Sequence, residues 1–308
     1  MKKILILTDG KAGHENQSKA LVRQLGCEAE VKEVHFKSKI AKSLSYLFDH
    51  LNIHTTSLLN FVSCPFCHKD EYSAIVGAGS GTFYAVKTLA KAFGLKGAVI
   101  LYPRGYKLST FDCILAPAFD RPKKLENVIE IPANLVANDE EFYKNGTAAF
   151  LERYTPKKEA VAVIVGGPNK CSTMTADWMK SELDKLFKEN EEKEFWVTTS
   201  RRTPLDVETV IDAYPFAYKL IFSREKFNPI PAFVSLAKKL YVSAESTGML
   251  SEACTFGTAE VEALDNLNPG PHKFRHFVDL LREGGYLGGA KKIDLEKEFA
   301  KAKELLKV

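Results

Sequence analysis

The sequence predicts an α/β protein built from two doubly wound domains, and three observations lead to that prediction. Short apolar runs rich in β-branched residues alternate with longer amphipathic segments along nearly the whole chain of 308 residues. That alternation is typical of parallel sheets covered by helices. A polar stretch at 154–159 interrupts the pattern, which then starts again. A chain of this length normally forms about two domains.

The individual elements follow from the spacing of the apolar residues. In the first half the predicted strands lie at 3–8, 31–36, 74–77, 97–102, 113–116 and 128–131, and the clearest helices at 16–25 and 82–93. In the second half the predicted strands lie at 161–165, 194–199, 219–222, 240–243 and 258–263, and the helices at 174–188, 205–213 and 249–255. Two terminal helices separated by glycine pairs complete the pattern. The predicted domains are therefore 1–154 and 155–271, with a helical extension at 272–308.

Composition limits the class of protein. The chain carries 43 Lys and Arg against 39 Asp and Glu, a net charge of +4, which argues against nucleic acid as a partner because nucleic-acid-binding domains usually have a clustered basic face. Up to residue 154 there are 20 basic and 16 acidic residues, so the excess lies in the first half. The sequence contains no apolar run long enough to span a bilayer and no signal-peptide pattern. With six cysteines and no export signal, we expect a cytoplasmic protein.

One cysteine pair stands out, because Cys64 and Cys67 are followed directly by His68. The spacing matches haem attachment and also a redox pair. Covalent haem attachment belongs to exporting compartments, and the sequence offers no further ligands at zinc-site spacing. We therefore interpret the two cysteines as a buried pair without a metal, since free cysteine is common in protein cores.

The loop after the first strand holds the candidates for acid–base chemistry, Asp9, His14 and Glu15. Histidine is the usual general base near neutral pH, and a carboxylate beside it can orient the ring or accept the proton itself. Gly13 leaves the backbone open to a polar ligand before a helix that we expect to begin near residue 18. The same loop suits a helix N-terminus capped by Asp9, Asn16 or Ser18, and the sequence alone does not separate the two interpretations.

Two loops of the second domain are suited to a diphosphate. Gly167 follows the strand at 161–165, and Ser200, Arg201 and Arg202 follow the strand at 194–199. Adjacent arginines beside hydroxyl groups can hold phosphate oxygens through charged hydrogen bonds. A solvated arginine pair with a serine cap is the alternative.

A third loop of the second domain is suited to the rest of a nucleotide. Ser246, Thr247 and Gly248 open a helix that carries Ser251 and Glu252. Hydroxyls and free amides at a helix start bind phosphate, and a carboxylate one turn into the helix can accept both hydroxyls of a ribose. The alternative is a simple capping arrangement, in which Ser246 or Thr247 is the N-cap and Ser251 and Glu252 lie on an exposed helix face.

Taken in order along the chain, these loops resemble the mitochondrial-fission ELM family, which is widespread in bacteria. The segments that carry the resemblance are 10–17, 166–168, 199–204, 228–229, 246–252 and 273–277. Weaker matches at 102–104 and 119–128 extend it over nearly the whole chain. The resemblance implies a GT-B fold, in which two Rossmann-like domains face each other across a cleft and a terminal helix crosses back to the first domain.

The resemblance also implies a function. Glu252 would hold the ribose of a nucleotide sugar, Ser200 and Arg201 would face its diphosphate, and His14 would serve the acceptor side. We expect a metal-independent glycosyltransferase that acts on a lipid or polysaccharide acceptor of the cell envelope, with the nucleotide sugar as co-substrate and no other cofactor. The sequence contains no Asp-x-Asp metal-binding pair. A nucleotide-sugar 2-epimerase and a non-catalytic adaptor with the same fold stay open as alternatives.

The segment 36–62 suggests where such an acceptor is met. Lys37, Lys39 and Lys42 are combined there with apolar residues at helical spacing. Such a helix can lie on an anionic bilayer surface, which would give peripheral contact with the inner face of the cytoplasmic membrane. A core helix with its lysines in solvent shows the same pattern, and the sequence leaves both interpretations open.

Overall fold

The computed structural model describes residues 2–65 and 69–308. Contacts between Cα atoms divide the chain into two compact units. Unit 1 is Met1–Ala137 together with Leu295–Val308, and unit 2 is Asn138–Asp294. Each unit has a sheet and a hydrophobic core of its own.

Strands and helices alternate through both units. In unit 1 they are β1 (Lys3–Thr8), α1 (Ala12–Gln24), β2 (Glu28–Phe36), α2 (Lys39–His50), β3 (Leu59–Phe61), β4 (Tyr72–Ala78), α3 (Phe83–Phe93), β5 (Lys96–Ile100), β6 (Cys113–Pro117) and β7 (Val128–Ile131). Unit 2 contains α4 (Glu140–Leu151), β8 (Ala160–Ile164), α5 (Ala176–Glu189), β9 (Glu194–Thr198), α6 (Leu205–Ala213), β10 (Tyr218–Leu220), α7 (Ile230–Leu236), β11 (Lys239–Ser243), α8 (Thr247–Thr255), β12 (Glu260–Leu264) and α9 (Lys273–Glu283). The last helix, α10 (Glu296–Leu306), belongs to unit 1.

Both sheets are doubly wound. In unit 1 the strand order is β3-β2-β1-β4-β5-β6-β7, with β3 antiparallel to β2 and the other pairs parallel. In unit 2 the order is β10-β9-β8-β11-β12, and the pairs are parallel. The strand order reverses direction between β1 and β4 in unit 1 and between β8 and β11 in unit 2. In open α/β sheets such a switch point, at the carboxyl ends of the strands, is where ligands bind.

Strand β1 shows why the central strands of these sheets are continuous apolar runs in the sequence. Leu5 and Leu7 pack in the layer that contains α3, whereas Ile4 and Ile6 pack in the layer that contains α1 and α10. All four side chains are fully buried. Because helices cover both faces of the sheet, no position of the strand is left for a polar residue. Each buried side chain of this size contributes roughly 1.5–3 kcal/mol.

The boundary between the units falls before α4, not between residues 154 and 155 as the sequence predicts. Phe150 of α4 is fully buried, and its ring centroid lies 5.2 Å from that of Trp196 in unit 2. The polar stretch at 154–159 is therefore a loop within unit 2. The predicted extension at 272–308 is divided as well, because α9 stays in unit 2 and α10 packs on unit 1. Polarity marks a loop in the sequence, but it does not show which core the flanking helix joins.

Some local predictions differ from the structure. The apolar pattern does not predict β3 or α7, which have only three and seven residues. Cys64, expected to be buried, is exposed in the loop that follows β3. The rest of that motif, Cys67 and His68, lies outside the described residues.

Candidate functional site

The switch point of unit 1 brings together the loop after β1 and the loop after β4. Gly10 and Gly79 have φ values of +78° and +81°, in the left-handed region where a residue with a side chain is strained. Glycine at both positions lets the two loops turn sharply at the edge of the sheet. The predicted acid–base residues lie at this edge.

Asp9 and His14 form a hydrogen-bonded pair there. His14 Nδ1 lies 2.9 Å from Asp9 Oδ1, and Lys11 Nζ lies 2.8 Å from Asp9 Oδ2. The side chains of Asp9 and His14 are 6% and 22% exposed. Burial acts to raise the pKa of Asp9, but the hydrogen bonds from Lys11 and His14 outweigh it and lower the pKa. An ionised carboxylate beside Nδ1 favours the tautomer that carries its proton there and leaves Nε2 free to accept one.

Two glycines of the β4 loop allow this pair to pack closely. A Cβ atom at Gly79 would lie 2.2 Å from His14 Cε1, and one at Gly81 would lie 2.6 Å from the Cβ of Asp9. Neither distance is sterically allowed, so a larger residue at either position would displace the pair. The sequence does not single out these glycines, because their contact is made between adjacent strands and not along the chain.

The structure does not bring Glu15 into this pair. Its carboxylate lies 2.6 Å from Lys19 Nζ, one turn further along α1. Helix α1 begins at Ala12, earlier than predicted, so Gly13 lies exposed in its first turn. No described side chain caps α1, so Asp9 is not its N-cap and the first amides of the helix are left for water or a ligand.

In unit 2 one buried carboxylate ties the switch-point loops together. Glu245, 2% exposed, accepts hydrogen bonds from Gly167 N at 2.8 Å and from Asn266 Nδ2 at 2.7 Å. A Cβ atom at Gly166 would lie 2.0 Å from Glu245 Oε1, and one at Gly167 would lie 2.3 Å from the carbonyl oxygen of Arg202. Both glycines are therefore required by a close approach of protein atoms. For Gly167 this is a structural role in addition to the predicted ligand contact.

Ser200 and Arg202 use polar groups to order the loop after β8. Ser200 Oγ donates to Gly166 O at 2.8 Å, and Arg202 Nη1 donates to Gly167 O at 3.0 Å. Arg201 is exposed, and within the described ranges it forms no hydrogen bond or ion pair. Of the two predicted phosphate-binding arginines, Arg201 therefore has the guanidinium group that a ligand can reach without breaking a hydrogen bond in the described part of the protein.

The loop after β11 leads into α8, which begins at Thr247, two residues before the predicted start. Ser246 is its N-cap residue, and no described side chain makes a capping hydrogen bond. Gly248 lies exposed in the first turn, and a Cβ atom there would meet nothing within 4 Å. Ser251 is fully buried, and its Oγ donates to Thr247 O at 2.6 Å. The first turn of α8 is thus open to a ligand, whereas Ser251, predicted to bind one, belongs to the core.

Glu252 lies on α8 and is held by two donors. Tyr143 OH and Asn138 Nδ2 both bind Glu252 Oε1, at 2.8 and 3.0 Å. Burial raises the pKa of Glu252, and the two hydrogen bonds offset part of that effect. Among the described residues nothing donates to Oε2. The carboxylate is therefore fixed in position with one oxygen left for the hydroxyl groups of a ligand.

The sequence does not predict Asn138 or Tyr143 as partners of Glu252. They lie 114 and 109 residues before it in the chain, and the packing of α4 on unit 2 brings them to α8. The available signal is the polar run 138–141, which leads into the first turn of α4. That run indicates a helix start but does not indicate which carboxylate the residues of this helix bind.

Two further findings concern metals and membranes. No group of three or more His, Cys, Asp or Glu within residues 2–65 and 69–308 is arranged to hold a metal ion. Over the same ranges, no helix has both the length and the apolar character needed to cross a bilayer.

Comparison with solved structures confirms the predicted fold class. The UDP-GlcNAc 2-epimerase of Methanocaldococcus jannaschii superposes with a TM-score of 0.56 at 13% identity, covering 99% of this chain and 92% of that one. The UDP-GlcNAc 2-epimerase of Neisseria meningitidis, solved with UDP-GlcNAc bound, gives a TM-score of 0.53 at 12% identity and covers 99% and 100% of the two chains. At such identities the likeness establishes a shared α/β, GT-B-like fold.

Sequence comparison establishes the family. The chain is 25% identical over 293 residues to Uncharacterized protein RP120 of Rickettsia prowazekii (strain Madrid E), with 82% of this chain and 81% of that protein covered. The model of the family described as Mitochondrial fission ELM1 matches residues 12–303, a span that includes the loops after β8, β9 and β11. The resemblance predicted from these loops is confirmed, and this chain belongs to the Mitochondrial fission ELM1 family.

Proposed function

We propose that this protein is a metal-independent glycosyltransferase that uses a nucleoside-diphosphate sugar. The observation that carries the proposal is the arrangement on α8, where the fixed carboxylate of Glu252 follows an exposed, uncapped helix start. A helix start of this kind binds phosphate through its free amides. The free oxygen of Glu252 is suited to a ribose hydroxyl. The shared fold with a 2-epimerase solved with UDP-GlcNAc bound supports the same ligand class.

The donor half of the reaction would belong to unit 2. When the bond between the sugar carbon and the diphosphate breaks, negative charge builds up on the leaving phosphate. The Arg201 guanidinium and the amides at Thr247 and Gly248 are the groups we assign to that charge. The amides are preorganised donors, which stabilise a developing anion because they need no reorganisation during the reaction, and the guanidinium adds a full positive charge. They would take the place that a metal ion has in other transferases.

The acceptor half would belong to unit 1. We assign His14 as the base. Its Nε2 would take the proton of the acceptor hydroxyl while the hydroxyl oxygen forms its bond to the sugar carbon. Asp9 would orient the ring and stabilise the imidazolium, and its lowered pKa keeps it ionised for that role. A well-placed general base typically contributes about 10²–10⁴-fold to the rate. The acceptor we propose is a lipid or polysaccharide of the cell envelope, reached from the cytoplasm.

The carboxylates favour transfer over 2-epimerisation. Epimerisation needs an acid and a base on either side of the sugar, and the sequence offers Asp9, Glu15 and Glu245 as carboxylates for this. Glu245 is buried with both oxygens hydrogen-bonded, and Glu15 is paired with Lys19. Asp9 is then the one of the three that is placed for proton chemistry, through His14.

The test is a binding and activity assay with the full chain. We expect UDP, ADP or GDP, and the matching sugar nucleotides, to raise the melting temperature, because a ligand present at about 100 times its Kd stabilises the folded state by about 2.7 kcal/mol. Glu252→Ala should abolish that rise, whereas Glu189→Ala, an exposed control at the end of α5, should retain it.

The outcomes separate the three functions. Release of nucleoside diphosphate that depends on an added acceptor supports a transferase. Conversion of the sugar nucleotide to its 2-epimer would contradict the proposal in favour of an epimerase. No stabilisation by any nucleotide would contradict it in favour of an adaptor that has kept only the fold.

A further inference from the structure

Helix α2 of unit 1 carries an apolar stripe that faces solvent. Ile40, Leu44, Leu47 and Leu51 are spaced four, three and four residues apart, so they lie on one face of the helix and of its C-cap turn. Their exposed fractions are 73%, 37%, 54% and 59%. We call these four residues the α2 stripe. Single exposed leucines are ordinary, but a contiguous row of four marks a surface that meets something apolar.

The stripe is not needed to hold α2 on its own unit. The opposite face of the helix buries Ala41, Ser45 and Asp49. The Asp49 carboxylate binds Lys87 Nζ at 2.5 Å inside the unit, and Ser38 Oγ caps the helix by accepting from Ala41 N. The helix is thus anchored by its opposite face and capped at its start, while the residues of the stripe keep between 37% and 73% of their surface exposed.

The apolar surface continues beyond the helix. Ile53 and Val62, in the segment between α2 and β4, are 42% and 70% exposed. With the α2 stripe they make six of the eleven large apolar side chains that are exposed within the described residues. These six fall within a stretch of the chain from 40 to 62, so the exposure is concentrated in one region of unit 1.

The exposed charges of the segment that carries the stripe have one sign. The segment 36–65 contains a single acidic residue, Asp49, and that carboxylate is buried against Lys87. Lys37 and Lys39, at the start of α2, are exposed. The region therefore presents positive charge beside the apolar row and no exposed carboxylate from its own segment.

A hydrogen bond joins this region to the loop that packs against the Asp9–His14 pair. Lys42 Nζ of α2 donates to Ser80 Oγ at 2.9 Å. Ser80 stands between Gly79 and Gly81, the two glycines that pack against the pair. A surface that covered the start of α2 would therefore lie beside the loop that supports the proposed base.

We infer that the α2 stripe docks unit 1 on an anionic lipid bilayer, with the stripe among the acyl chains and Lys37 and Lys39 at the headgroups. Charge complementarity favours a bilayer over a protein partner. Protein interfaces are depleted in lysine, and their energetic centres are rich in Tyr, Trp and Arg. An aliphatic row flanked by lysines is instead typical of helices that lie in the membrane interface. The inference goes beyond the proposed function, which concerns the nucleotide and not the membrane.

Vesicle flotation of the full chain, without nucleotide, tests this inference. We expect binding to phosphatidylcholine vesicles that contain about one third phosphatidylglycerol, and binding weaker by about tenfold or more to pure phosphatidylcholine, because lysines are attracted to an anionic surface. Binding should fall when the salt is raised from about 50 to about 500 mM, which shortens the screening length.

Variants separate the stripe from the charges. The triple variant I40S/L47S/L51S should lower partitioning by about tenfold or more, whereas L205S in unit 2, where Leu205 is 73% exposed like Ile40, should not. The pair K37Q/K39Q should lower binding by about tenfold or more, and K180Q/K188Q on α5 should serve as its neutral control. Melting temperatures close to that of the parent chain show that the surface variants are folded.

Three results would overturn the inference. One is absence of binding to the anionic vesicles at low salt. Another is equal binding of the parent chain and the stripe variant. The third is self-association of the parent chain in sedimentation that is lost in the triple variant, while the triple variant still binds vesicles. The stripe would then contact a second copy of the chain and not the bilayer. None of these results bears on nucleotide binding, so the two proposals fail separately.

Discussion

Tyr143 OH lies 2.8 Å from Glu252 Oε1, and Asn138 donates to the same oxygen at 3.0 Å. Two donors therefore converge on one oxygen of a carboxylate whose pKa burial has raised. Placing an ionisable group in such surroundings has a cost in folding free energy, and proteins tend to accept it where the group has a function. Glu252 is thus a position where stability and binding should respond to mutation in opposite directions.

We predict that Glu252→Gln stabilises the protein at neutral pH and weakens nucleotide binding. The amide keeps an acceptor for Tyr143 and Asn138 but removes the buried charge. Because the folded-state pKa of Glu252 lies above its ordinary value of 4.5, the parent chain loses stability as pH rises from about 4.5 through the folded-state pKa. The gain from Gln should therefore be present at pH 7 and vanish in acid, as measured by urea unfolding across that range.

The same variant should bind a nucleoside diphosphate about 10- to 150-fold more weakly, which is the range for losing one charged hydrogen bond. Calorimetric titration measures this directly. A variant that is more stable and binds as well as the parent chain would mean that Glu252 does not contact the nucleotide.

A second prediction concerns the Asp9–His14 pair. His14→Ala should lower the turnover number by about 10²–10⁴-fold with little change in nucleotide affinity, because the base acts in the chemical step. Asp9→Asn should also lower turnover, because the amide no longer favours the tautomer with its proton on Nδ1. His35→Ala, which breaks an exposed pair with Glu33 at 2.7 Å, is the matched control. Loss of nucleotide binding in His14→Ala, without loss of turnover, would contradict this assignment.

A third prediction separates two adjacent arginines. Arg201→Ala should leave the melting temperature close to that of the parent chain, because the exposed side chain makes no hydrogen bond or ion pair with the described residues. It should weaken diphosphate binding by about tenfold or more. Arg202→Ala removes the hydrogen bond to Gly167 O and should cost up to about 1 kcal/mol of stability, with a smaller effect on binding. The reverse pattern in paired thermal and calorimetric measurements would exchange the two roles.

Much of the fold is predictable from the sequence because the sheets are covered on both sides. Strand β1 has the predicted bounds, since a run of aliphatic residues from Ile4 to Leu7 between polar neighbours has few alternatives to a buried strand. The short edge strand β3 has no such signal, because a three-residue antiparallel pairing depends on the partner strand. The affiliation of α4 also depends on distant residues, since its Phe150 is buried by rings from unit 2.

The candidate site is predictable in its residue types but not in their roles. Ser200, Arg202 and Ser251 have the chemistry of ligand-binding residues, yet the structure shows each of them hydrogen-bonded within unit 2. Glu245 ties Gly167 across a separation of 78 residues, and no local pattern reveals such a contact. Strand order decides which loops meet, so the distinction between a group that binds a ligand and one that supports the loop becomes visible only in the folded chain.

The last prediction uses two glycines to distinguish a close approach by the protein from a close approach by a ligand. Gly167→Ala places a methyl group 2.3 Å from the carbonyl oxygen of Arg202, so it should destabilise the free protein. Gly248→Ala adds its methyl group in open space within a helix, so the free protein should keep its stability or gain up to about 1 kcal/mol. If a phosphate approaches the first turn of α8, that methyl group stands in its way, and diphosphate affinity should fall without any loss of stability. Thermal melting with and without nucleotide measures both effects, and a Gly248→Ala protein stabilised by nucleotide as strongly as the parent chain would place the phosphate elsewhere.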